Sequence, residues 1–137
     1  MYIWIKIYIF KSQSDIKLVA NERLKDAECL LKGKRYGGAY YMAGYVIELL
    51  LKAKVCKTIG IDDFYDFDTP NKKKLKLDGN LYRQFKIHNY DQLLILSGIF
   101  SQFEAEMNNP VFKSHWSLVS EWNENCRYEK NKNLKDV

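Results

Sequence analysis

From Ser14 onward the apolar residues recur every three or four positions, the spacing of one helix face. In "SDIKLVANERLKDAECLLKGKRY" the stripe is Ile16, Ala20, Leu24, Ala27 and Leu30/Leu31; Ser14-Asp15 supplies a start signal and Gly33 a stop. A second segment begins between Lys34 and Gly38 and runs to about Thr58, ended by Gly60. Its core stripe is Ala39, Met42/Ala43, Val46, Leu49/Leu50, Ala53 and Cys56. Glu48 falls off that stripe with Tyr41, Gly44, Tyr45, Lys52 and Val55, which places it on the flank of the core. "HNYDQLLILSGIF" predicts a third helix through Leu93, Leu94 and Leu96 to Ile99 and Phe100, and "SQFEAEM" continues as a short helical turn. After Asn109-Pro110, Phe112, Trp116, Val119, Trp122 and Cys126 return at three- and four-residue steps, a strongly amphipathic helix. The main helices are therefore expected near 15–32, 35–58, 89–98 and 111–126.

Two stretches break this pattern. "MYIWIKIYIF" is apolar and aromatic except for Lys6 and reads locally as a strand, but no second strand candidate follows to pair with it. It is shorter than the ~20 residues that cross a bilayer, and it lacks the small-residue cleavage site of a secretory signal. Residues 1–13 are read as an appendage that packs on the bundle or mediates self-association, or as an upstream start that adds nothing. Residues 60–87 form the longest non-periodic segment: an acidic-aromatic half with Asp62, Asp63, Asp66 and Asp68 precedes a basic half with Lys72, Lys73, Lys74 and Lys76. Long inserts inside compact domains commonly carry function, and this one is expected to be exposed. The reading is one helical domain over 14–128, followed by a charged tail over 129–137.

Composition narrows the partners only slightly. A chain of 137 residues is long enough to bury a core without staples, and 47% hydrophobic with 28% charged residues is ordinary for a soluble domain. The formal net charge of +5 mildly favours an anionic partner. Cys29, Cys56 and Cys126 are odd in number and form no CxxC pair, so neither a disulfide scaffold nor a zinc site is suggested. They are expected to be buried free thiols in a reducing cytosol. The four aspartates lack the glycine and closing glutamate of an EF-hand loop and read as turn formers; no metal or cofactor is implied. Lys72 to Lys76 offer a salt-dependent phosphate contact, although a solvated loop is the commoner fate of such a run. Tyr40, Tyr41 and Tyr45 could stack a base but fit the edge of the core better. No Ser/His/Asp triad can be built.

Several of these fragments, in this order, resemble one family. "LLKGKRYGGAYYMAGYVIELLLKAKV", then "HNYDQLL", then "SHWSLVSEWNENCRY" are similar to the HEPN family, the higher eukaryotes and prokaryotes nucleotide-binding domain. The resemblance spans about residues 16 to 128 and rests most on Ala43-Gly44-Tyr45 with Glu48, Leu51-Lys52-Ala53, His88 opening a helix, and Arg127-Tyr128 closing the last one. It implies an all-α, up-and-down bundle of four to five helices with a long loop between the second and third main helices, and a cytoplasmic homodimer. Members act beside minimal nucleotidyltransferases and in toxin–antitoxin and defence systems, with nucleotides or RNA as ligands. Some are metal-independent ribonucleases with an Arg-x4-6-His motif, set near the start of a late helix in a context like "RNxxxHxY"; others keep the fold without it.

"RQFKIH" gives Arg83 and His88 a formal Arg-x4-His spacing. A histidine can move the 2′-hydroxyl proton while an arginine holds the phosphate. Arg83, however, lies in the insert, and His88 aligns better with the helix opening of the non-nuclease branch. The expectation is accordingly a non-catalytic nucleotide- or partner-binding module, with the ribonuclease as the alternative. Glu48, Lys52, Arg127 and Tyr128 are expected to form a structural pair or a ligand contact, the structural reading first: a solvated i,i+4 pair of Glu48 with Lys52 or a charge-assisted contact of Glu48 to Arg127. Gly44 would leave room for a close approach by another helix or a ligand.

Overall fold

A computed structural model of the chain describes residues 15–60 and 87–128, the side chains of Asp15, Arg127 and Tyr128 excepted. The N-terminal run, the four insert aspartates, Lys72, Lys73, Lys74, Lys76, Arg83 and the tail lie outside the described residues. Within them the chain is all-α, with no strand. Five helices, α1 (Asp15–Lys32), α2 (Tyr36–Ile59), α3 (Tyr90–Ser97), α4 (Phe100–Glu106) and α5 (Pro110–Val119), form a bundle closed by a 3-10 segment, Glu124–Tyr128.

The helix ends follow local chemistry. Gly60 and Gly98 both take left-handed φ values, 73° and 75°, and stop α2 and α3. Asn89 and Asn109 cap the starts of α3 and α5 by accepting from the backbone N–H of Gln92 and of Val111 and Phe112. At the end of α1 the left-handed residue is Lys34 (φ 57°) rather than Gly33. The Arg35 N–H returns to the Leu30 carbonyl and the Lys34 N–H to Leu31, which caps the helix and turns the chain into α2.

Helix α2 is the centre of the molecule. Residues Val46 to Ala53 are buried without interruption, because α1, α3 and the 3-10 segment pack around it. A single stripe cannot describe a helix covered on every side. The flank that was expected to hold Glu48 at the core's edge is itself inside: Gly44, Glu48, Lys52 and Val55 are all buried. Leu49, Leu51, Leu93, Ile16 and Val55 fill the cluster, and Trp122 and Cys126 seal it from the C-terminal side.

The described helices beside α2 do not all run antiparallel to it. α1 and α2 form an antiparallel hairpin, with Leu30 packed beside Gly38. α3, however, lies parallel to α2: His88 meets Glu48 just before α3 begins, and the Ser97 carbonyl accepts from the Thr58 hydroxyl at its end. The last helix is also shorter than its periodicity predicts. It stops at Val119, and Trp122 and Cys126 reach the core from the turn and the 3-10 segment instead. Hydroxyls of Ser117 and Ser120 bond back to carbonyls three residues earlier, and Asn123 accepts the Asn125 N–H, so side chains take over from the helical ladder there. Of the cysteines, Cys56 and Cys126 are buried but Cys29 is exposed on α1, and all three are free thiols.

Candidate functional site

The site is built on one face of α2, where Gly44, Glu48 and Lys52 follow one another at four-residue steps. Gly44 is a notch. A Cβ there would lie 2.2 Å from the Trp122 ring, so only glycine lets the indole sit against the helix. From that seat the Trp122 indole N–H donates to the Tyr41 carbonyl at 3.1 Å. The Tyr90 hydroxyl donates to the Gly44 carbonyl at 2.6 Å, and its ring stacks on Trp122 with centroids 5.5 Å apart. Trp116 packs on Tyr90 from α5. Burial first, and the Glu48 carboxylate second, raise the Tyr90 phenol far above the ordinary tyrosine range, so it is a fixed neutral donor.

Glu48 lies one turn beyond the notch and is 1% exposed. Its Oε1 accepts from Lys52 Nζ at 2.6 Å and faces His88 Nδ1 at 2.9 Å. Its Oε2 is buried and meets no donor among the described residues. Breaking a buried, paired carboxylate away from one partner commonly costs ~3–5 kcal/mol, so the Lys52 ammonium and the His88 ring nitrogen on Oε1 are what let Glu48 stay in the core. His88, 43% exposed, then carries the network outward: its Nε2 lies 3.0 Å from Oε2 of Glu124, a half-exposed residue opening the 3-10 segment. Ionised carboxylates only accept hydrogen bonds. Both bonds to His88 therefore close when the ring holds both protons, and the formal charges of Glu48, Lys52, His88 and Glu124 then cancel.

The i,i+4 pair of Glu48 and Lys52 forms, but in the core and not in solvent. The 3-10 segment carries Arg127 and Tyr128 alongside α2, with their side chains outside the description, as are Arg83 and the four insert lysines. Tyr41 and Tyr45 lie half-buried at the core's edge, their rings parallel to within 9°. Three participants were not singled out from the sequence: Tyr90, Glu124 and the seat of Trp122 in Gly44. Tyr90 had a signal, since His88-Asn89-Tyr90 fits the H-x-Y end of the ribonuclease context. Glu124 had none, being one acidic residue among several near the C-terminus.

Among the described residues no group of three His, Cys, Asp or Glu side chains is placed to hold a metal ion, and no helix is long and apolar enough to cross a membrane. Comparison of the chain with protein-family models, with curated proteins and with solved structures finds no match.

Proposed function

We propose that this chain is a non-catalytic, HEPN-like helical module that binds a nucleotide or a protein partner, acting as a homodimer beside a nucleotidyltransferase in a toxin–antitoxin or defence setting. The observation that carries the non-catalytic part is the engagement of His88. Both ring nitrogens face carboxylates, one of them fully buried, so the imidazole ties α2, the start of α3 and the 3-10 segment together. A general acid or base needs a nitrogen free to meet the substrate. The basic balance of the chain supports an anionic ligand, and the fragments similar to HEPN sequences supply the nucleotide and the partner class.

One feature favours the ribonuclease reading. A buried carboxylate behind Nδ1 is how an acid–base histidine is oriented, and His88 lies just before a late helix with a tyrosine two residues on. The experiment that separates the two incubates single-stranded RNA with the protein and with His88→Ala in EDTA, and titrates both with ATP and AMP by calorimetry. Saturable nucleotide binding with no cleavage by either protein is expected. RNA cut by the parent but not by His88→Ala, leaving 2′,3′-cyclic phosphate ends, overturns the non-catalytic reading.

A further inference from the structure

Among the described side chains, two kinds of contact hold the segment from Trp122 to Cys126 against α2. The first does not depend on a titrating proton: the indole in the Gly44 notch, its N–H on the Tyr41 carbonyl, and Cys126 in the core. The second is the bridge from buried Glu48 through His88 to Glu124, and it depends on a proton. When the imidazole loses one proton, a single N–H must serve two carboxylates. Glu48 keeps it, because a buried carboxylate whose other oxygen already lacks a donor has no water to fall back on, whereas Glu124 is half-exposed and hydrated. The bare nitrogen then faces the Glu124 oxygen, lone pair against lone pair, and the outer contact opens.

We propose that His88 is a proton-operated latch, fastening the 3-10 segment to α2 when doubly protonated and releasing it when the ring becomes neutral. Among the described residues, Lys52 on α2 pairs with Glu48, the first turn of α3 carries Asp91 and the neutral Tyr90 phenol, and the segment itself carries the Cys126 thiol. Release leaves the cover that Trp122 places over Gly44, Tyr41 and Tyr90 held only by its proton-independent contacts, so the cover opens more often. The latch thus makes the accessibility of that aromatic face of α2 a function of pH. It does not depend on which ligand the module binds.

The test is amide hydrogen exchange of the full chain at about pH 5.5 and about pH 8, bracketing the ordinary imidazole range near ~6.5 and staying above ordinary carboxylate titration. Intrinsic exchange rates are divided out and a peptide from α1 serves as the internal reference. Protection over residues 122–128 is expected to fall about two- to five-fold at the higher pH, the range that a half-exposed ion pair commands. Glu124→Gln should abolish the difference, because an amide can accept from the protonated nitrogen through its oxygen and donate to the bare one through its nitrogen. A parent protein with equal protection at both pH values overturns the latch. So does a Glu124→Gln variant that loses protection as the parent does.

Discussion

Glu48 and Tyr90 sit in the same buried corner, and the acid limits what the phenol can do. The carboxylate raises the cost of ionising the phenol, and the phenol, held on the Gly44 carbonyl, stays neutral in the folded protein. In the unfolded chain Tyr90 ionises near pH ~10. Above that pH the unfolded state binds fewer protons than the folded state, so stability is full below about pH 10 and falls as the pH rises further. An alkaline titration should therefore show helix loss, followed by circular dichroism, coinciding with the last tyrosine ionisation at 295 nm. Tyr90→Phe should shift that unfolding to higher pH; an unchanged transition would show that another group triggers it. At this scale the sequence revealed the identity of the odd residue, an acid amid apolar neighbours, but not its partners. His88 is forty residues away from Glu48 and Glu124 lies farther still, and neither distance leaves a trace in local spacing.

Among the elements, α2 and the C-terminal segment meet through a shape that two glycines allow testing. At Gly38 a new Cβ would stand 3.3 Å from the flexible end of Leu30; at Gly44 it would strike the Trp122 ring at 2.2 Å. Replacing an interior helical glycine by alanine gains ~1 kcal/mol of helix propensity. Gly38→Ala should thus be neutral or mildly stabilising, while Gly44→Ala should lose ~1–3 kcal/mol through overpacking, read as opposite shifts of the urea midpoint. The stop at Gly60 and the start after Asn109 were legible from local chemistry, but the stop at Gly98 was not, because the apolar spacing carries on through it to Phe100 while the left-handed glycine ends α3 at Ser97. The close approach at Gly44 was legible too, though not its occupant. The end of α5 was not, because Trp122 leaves the helical path to reach a carbonyl 81 residues away. The flank of α2 was misjudged for a related reason: periodicity reports the width of one apolar stripe, and says nothing of the helices that cover the remaining faces.

For the whole molecule, the parallel seating of α3 beside α2 sets an order of assembly. The α1–α2 hairpin is built from neighbours in the chain and can form early. His88 reaches Glu48 only after a loop of forty residues has closed, and that closure entropy must be met before the contact returns anything. The contact therefore belongs to the late side of the folding barrier. His88→Gln should hasten unfolding and leave the refolding rate nearly unchanged, a φ-value of about 0–0.3 on a chevron plot. Slower refolding with unaltered unfolding would place the contact in the nucleus instead. Through the early stages Glu48 stays hydrated on the open flank of the hairpin, and it sheds its water only as His88 docks. A chain whose C-terminal half fails to arrive is left with a solvated carboxylate in the middle of α2, an acid that keeps the half-made hairpin from settling into a dry core of its own.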